Sequence, residues 1–148
     1  MLELDLLSGL SLRYRTEQGI TQVFDTVRKK WLVLTPEEHV RQAWIQYLVQ
    51  HMHYPPALIA LEKQVHIGAM PKRFDIVVYN RDHCPWLLAE LKAPDVPVKR
   101  QTLYQLLQYQ QQLQARYWLI SNGVDSFCAD ASRPEAIEWL QQLPAYLP

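Results

Sequence analysis

The sequence predicts an α/β fold in which a mixed β-sheet is flanked by helices, and three observations carry that expectation. A strongly signalled helix precedes three strand candidates; the third of these, PWLLAELK (85–92), is apolar until Glu90, as a central strand buried on both faces must be; and a second helix then leads to another buried strand, RYWLIS (116–121). A helical crossover between strands of one sheet sets them parallel, whereas short turns set them antiparallel. The order α-β-β-β-α-β, followed by a short strand and a last helix, therefore gives an antiparallel meander joined through a helix to a parallel neighbour.

Residues 1–34 read as an N-terminal arm of short strands and turns packed on a core of residues 35–148, the whole forming one domain. The β-branched and aromatic residues of ITQVFDTV and KKWLVLT favour extended structure, and Gly19 supplies a turn after SLRYR. Thr35-Pro36-Glu37-Glu38 marks a helix start, with Thr35 as N-cap, Pro36 at the first helical position and Glu38 at the capping-box offset. That helix is expected to reach about His51, with Val40, Ala43, Trp44, Tyr47 and Leu48 on one face, before Tyr54-Pro55-Pro56 stops it.

The first strand candidate, LIALEKQVHI (58–67), ends at Gly68; the second, Phe74 to Tyr79, lies between Pro71 and the Asn80-Arg81-Asp82 turn, which predicts a hairpin into the third. A helix from about Lys99 to Gln114 carries Leu103, Leu106, Leu107 and Leu113 at helical spacing, with its glutamines on a solvated face. After RYWLIS come a Gly123 turn, a short strand to Cys128, and a last helix from Pro134 through Leu140.

With 148 residues, 49% of them hydrophobic and 20% charged, the chain is of the folded globular class, which excludes disordered and fibrous readings. Fifteen Lys and Arg balance fifteen Asp and Glu, so any nucleic-acid site has to be a local patch. Two cysteines, Cys84 and Cys128, with no CxxC pair indicate neither a zinc knuckle nor a disulfide framework. MLELDLLSGL carries Glu3 and Asp5 where a signal peptide carries Lys or Arg, and no apolar run is long enough to span a bilayer, so a cytoplasmic placement without membrane contact is expected. Four glycines without a P-loop or dinucleotide pattern imply no nucleotide cofactor.

The third strand candidate ends in charge. Alternation puts Trp86, Leu88, Glu90 and Lys92 on one face and Leu87, Ala89 and Leu91 on the other, so a carboxylate and an ammonium share the end of a buried strand. Asp75, on the paired neighbour, is expected to converge on Glu90. Two carboxylates one strand spacing apart repel unless a cation lies between them, and an oxygen donor pair suits Mg²⁺ or Mn²⁺. Such an ion and the Lys92 ammonium fit phosphodiester hydrolysis, where water loses a proton while negative charge grows on the phosphorus oxygens.

Asp75, then Glu90-Leu91-Lys92, then Gln105-Leu106-Leu107-Gln108-Tyr109 resembles the D…ExK…QxxxY pattern of the PD-(D/E)xK nuclease superfamily. TPEEHVRQ (35–42), KRFDIVVYN (72–80), LLAELKAP (87–94), LYQLLQYQ (103–110) and LISNG (119–123) are similar to the N-terminal nuclease domain of type I restriction enzyme R subunits and its stand-alone relatives, over about residues 22–130. The resemblance implies a restriction-endonuclease-like αβββαβ core and metal-dependent cleavage of DNA, with Asp75, Glu90 and Lys92 catalytic. It also implies a further helix carboxylate, matching Glu37, with Glu38 adjacent. Periodicity favours Glu37, which projects toward the Val40, Trp44 and Leu48 face. The family's Gln and Tyr correspond to Gln105 and Tyr109. Phe74 stands where the family often has Pro, and nothing downstream resembles a helicase motor.

Lys72, Arg73, Arg81, Lys99 and Arg100 gather near the site as a rim for phosphate contacts. Glu62 has the option of facing the same site. His51 and His53 sit at a helix end, where placement against the macrodipole accounts for them. The rival function is a nuclease-fold module that binds nucleic acid or a protein partner, or pairs with a second copy, without cutting.

Overall fold

A computed structural model describes residues 1–146 as a mixed α/β fold with two sheets. The first is the arm: β1 (Tyr14–Glu17), β2 (Ile20–Asp25) and β3 (Lys30–Val33) pair antiparallel. Gln18 and Gly19 join β1 to β2 with φ of 51° and 78°, the doubly left-handed turn whose twist suits a two-residue hairpin. Val23 and Asp25 point inward and are fully buried. Helix α1 (Pro36–Gln46) starts as expected, with Thr35 Oγ1 accepting the Glu38 N–H at 3.0 Å. It reaches His51 through a wider π-helical turn, Tyr47–His51.

The second sheet has six strands in sequence order: β4 (Ile59–Ile67), β5 (Met70–Tyr79), β6 (Pro85–Leu91), β7 (Tyr117–Ser121), β8 (Ser126–Asp130) and β9 (Glu138–Trp139). Only β6 and β7 run parallel; their connection carries α2 (Arg100–Leu107) and α3 (Gln110–Leu113). Strand β5 begins at Met70, earlier than the expected Phe74. Pro71 is tolerated there because β5 pairs with β6 only from Ile76 onward, so at Pro71 the strand has β4 alone as a neighbour. Asn80 makes the expected turn, its Oδ1 accepting the N–H groups of Asp82 and Cys84 at 2.9 and 3.0 Å.

Three further expectations are corrected. Trp86 does not share the Leu88 face: β5 and β6 pair Val78 with Leu87 but Tyr79 with Pro85, so Trp86 is an inserted bulge residue and joins the cluster of Leu87, Ala89 and Leu91. The second helix is broken, with Gln108 and Tyr109 between α2 and α3, and its tract is not wholly solvated. Gln110 is buried, donating to the carbonyls of Ala115 and Ala131 at 2.7 and 3.2 Å and accepting from Trp118 Nε1. Residues 134–140 form no helix but a turn and β9, because the open edge of β8 takes up the backbone; the Leu140 N–H donates to Cys128 O at 2.9 Å.

The large sheet separates two cores. On one face lie α1, through Val40, Ala43, Trp44 and Leu48, and the first residues of the chain, through Leu2 and Leu6. On the other lie α2, through Leu103 and Leu106, and α3, through Leu113, over Phe74, Val77, Leu88 and Trp118. The N–H groups of Leu2 and Glu3 donate to Ser126 O and Gln141 O at 2.9 and 2.8 Å, which brings the first residues beside the last turn. No helix among the described residues is long and apolar enough to cross a membrane.

Replacing Gln110 with Ala leaves Ala131 O short of its side-chain donor and Trp118 Nε1 with only its bond to Ala115 O at 3.2 Å. It should cost about 1–3 kcal/mol in urea unfolding, while Gln111→Ala, on the exposed side, should stay within about 0.5 kcal/mol.

Candidate active site

The site starts from an irregularity in the β4–β5 ladder. Leu61 pairs with Ile76 and Lys63 with Phe74, but Glu62 between them stands at φ 50°, a left-handed conformation costing a non-glycine residue roughly 1–2 kcal/mol. Across this kink Phe74 and Ile76, two residues apart, pack into opposite cores. Asp75, between them, turns its carboxylate onto the end of β6: Oδ2 accepts the Leu91 N–H at 2.7 Å and Oδ1 accepts Arg41 Nη2 at 2.9 Å. Glu90 precedes Leu91 on β6, and its Oε1 accepts Lys72 Nζ at 3.1 Å. Asp75 and Glu90 thus reach the same end of adjacent strands, each held by a cation of the chain itself.

Arg41 stands among four carboxylates. Its guanidinium lies 2.7 Å from Glu38, 2.9 Å from Asp75, and 3.8 Å from both Glu37 and Glu62. Arg28 continues the network from the arm, 2.8 Å from Asp25, 2.5 Å from Glu62 and 3.6 Å from Glu38. Gln42 Nε2 donates to Asp25 at 2.9 Å and to Glu38 at 3.1 Å, and Arg73 Nη2 donates to Glu62 at 2.6 Å. The sequence reading gave no role to Arg41, Arg28, Gln42 or Asp25. A signal existed for two of them, since Glu38 with Arg41 and Gln42 makes i,i+3 and i,i+4 pairs within TPEEHVRQ.

The helix carboxylates are arranged differently from the periodicity argument. Glu38 is the buried one, and the Glu37 side chain is 51% exposed. Periodicity measured against the Val40 and Trp44 face registers only the large sheet, whereas the N-terminal turn of α1 also faces the arm, from which Arg28 reaches Glu38.

Lys92 lies just past β6, where its N–H donates to Ser121 O at 2.8 Å; its half-buried side chain makes no ion pair among the described residues. Gln105 is exposed on α2, and Tyr109 is half-buried in the break after it, so the two do not share a continuous helix. Lys72 and Arg73 are turned onto Glu90 and Glu62, Lys99 is exposed, and Arg100 lies over the Trp139 ring at 5.1 Å.

Two carboxylates on neighbouring strands suit a hard divalent ion that fills its remaining positions with water or phosphate oxygen. Among the described residues no group of three or more His, Cys, Asp or Glu is gathered to hold a metal, since arginines stand between the acids. Burial pushes Asp25 up, but the Arg28 N–H, the Gln42 amide and the Arg28 guanidinium outweigh it and leave the carboxyl below its ordinary value. Glu62 behaves likewise: burial raises it, and Arg28, Arg41 and Arg73 bring it below.

Residues 36–144 match the family model described as the type I restriction enzyme R protein N terminus. A fragment assigned to the HsdR subunit of a type I restriction enzyme from Vibrio vulnificus YJ016 shares the fold, with a TM-score of 0.54 and 18% identity over 76% of this chain. The chain spans 24% of the length of that fragment. A DUF820 protein from Anabaena variabilis, assigned as a nuclease, aligns with a TM-score of 0.49 and 11% identity over 90% of this chain and 84% of its own. No curated protein matches the chain.

Asp25 and Glu62 have folded pKa values below their unfolded ones, so their stabilisation is complete above the ordinary carboxylate range, near 4, and is lost as pH falls through the lowered values. Urea midpoints should therefore drop steeply below about pH 4. Asp25→Asn should flatten that drop while lowering the midpoint at pH 7.

Proposed function

The chain belongs to the type I restriction enzyme R protein N-terminal family, and from that membership we propose that it is a metal-dependent nuclease hydrolysing phosphodiester bonds in DNA. The observation that carries this reading is the placement of Asp75 and Glu90 at one end of adjacent strands, with Lys92, which makes no ion pair among the described residues, two residues beyond Glu90. Asp75 and Glu90 are the proposed holders of Mg²⁺ or Mn²⁺, which when bound supplies Lewis acidity at the scissile phosphate. The Lys92 ammonium orients the attacking water or neutralises charge growing on the non-bridging oxygens. Glu37, the least engaged carboxylate near Arg41, is the proposed acceptor for a water bound to that ion or for a second ion. Gln105 and Tyr109 are proposed as supports for the substrate, and Lys99 and Arg100 as exposed phosphate contacts. A protein partner or a second copy is proposed to supply target reading, and the cytoplasm is the proposed setting.

A second reading is favoured by one observation: Asp75 and Glu90 each already pair with a cation of the chain, Arg41 and Lys72. Carboxylates each already engaged by a cation of the chain suit a module that grips nucleic acid or a partner without cutting.

The test is cleavage of circular single-stranded and supercoiled double-stranded DNA in Mg²⁺ or Mn²⁺. Asp75→Ala should abolish cleavage while leaving the protein folded, and Lys92→Ala should lower the rate by about 10²–10³ with metal binding retained. DNA binding without cleavage in wild type and Asp75→Ala alike selects the second reading. A further contrast separates the helix acids. Glu38→Ala should cost about 1–3 kcal/mol by taking away the acceptor of Arg41 Nη1, whereas Glu37→Ala should lower cleavage with stability changed by less than about 0.5 kcal/mol.

A further inference from the structure

Arg41 is only 6% exposed, and its Nε is buried without a hydrogen-bond partner, so the side chain is not there to satisfy its own donors. What it has is a shell of acids: Glu37, Glu38, Glu62 and Asp75 surround one singly charged guanidinium. Taken with Arg28 and Arg73, five carboxylates share three arginines in this network, and the unmatched charge of two is what one divalent cation carries. The Leu91 N–H holds Asp75 Oδ2, so Arg41 meets at Oδ1 a carboxylate already fixed from its other oxygen.

We infer that Arg41 is a built-in counter-cation that competes with a divalent metal ion for Asp75, and that a substrate phosphate relieves the competition by drawing the guanidinium to itself. The inference rests on the metal-binding reading above and adds a regulation to it. A buried carboxylate cluster without a cation is unstable, so Arg41 lets the fold form with no ion bound. A positive charge 2.9 Å from a metal-ligating oxygen disfavours a second cation at that oxygen, which keeps the ion-free state populated. An arginine fork pairs with phosphate as well as with carboxylate. Transfer of the guanidinium from Asp75 to a phosphodiester would uncover Asp75 in the same event that delivers substrate, so ion and nucleic acid would bind with positive coupling.

The experiment is Mn²⁺ binding, read from the loss of the free-ion electron paramagnetic resonance signal, with and without a cleavage-resistant phosphorothioate DNA oligonucleotide. Without DNA, Arg41→Met should bind Mn²⁺ about tenfold or more tighter than wild type, and Mn²⁺ should raise its melting temperature by more. Arg41→Lys, which keeps the charge, should stay near wild type, and Asp75→Asn should not bind. The oligonucleotide should tighten Mn²⁺ binding to wild type more than to Arg41→Met. Arg41→Gln, neutral but still a donor, serves if circular dichroism shows Arg41→Met unfolded. Mn²⁺ binding lost in Asp75→Asn but no tighter in either neutral variant overturns the counter-cation role and leaves the metal site standing. Absence of Mn²⁺ binding in every protein, with or without DNA, overturns the metal reading and this inference together.

Discussion

A guanidinium taken out of water has to be repaid in carboxylates, and Arg41 is the point at which two separate parts of the chain do so. Glu38 comes from its own helix, Glu62 and Asp75 from the first hairpin of the large sheet, and Arg28 brings the arm to the same acids. None of these pieces buries its charge alone. The arm shows this most plainly, for Asp25 is fully buried and finds its partners in its own turn, in Arg28 and in Gln42 of α1. The small sheet is thus fixed to the rest by charge and amide contacts as well as by the apolar Val23, and the helix is held at its polar first turn as firmly as at Trp44.

The same constraint explains why the candidate site lies where the large sheet is least regular. A regular pairing of Glu62 with Asp75 would leave both side chains in the alternation of their strands. The left-handed residue at 62 instead lets Asp75 take the N–H of Leu91 and meet Arg41, and the ion pairs of Glu62 with Arg28 and Arg73 hold the strained backbone in place. Strain, buried charge and candidate chemistry therefore coincide within a few residues of β4 and β5.

Much of the framework was legible because its signals are local. Thr35 and Pro36 announce the helix through the backbone donors they satisfy or lack, and the apolar run before Glu90 announces a central strand through the absence of any solvated face. The adjacency of Asp75 and Glu90 followed from strand order alone. What escaped depended on partners far away in the chain. Trp86 is apolar on either face, so nothing in its type reveals the bulge. Gln110 looks like its exposed neighbours until Trp118 stands beside it. Residues 134–140 have helical composition, yet the unfilled edge of β8 captures them. Glu37 and Glu38 could not be ranked without knowing that a second sheet lies over the start of the helix.

The first ten residues, MLELDLLSGL, hold five leucines and belong to the finished core, where Leu2 and Leu6 are buried. Their backbone partners, Ser126 and Gln141, lie far along the chain and leave the ribosome long after them. During synthesis, then, a leucine-rich stretch waits uncovered until residues 126 and 141 have followed it, with Glu3 and Asp5 as the charges that discourage it from pairing elsewhere in the meantime. The arm hairpins and α1 are made of near neighbours and are free to form early, but closure of the α1 side of the sheet waits for Ser126 and Gln141, and its speed is set by that long-range contact.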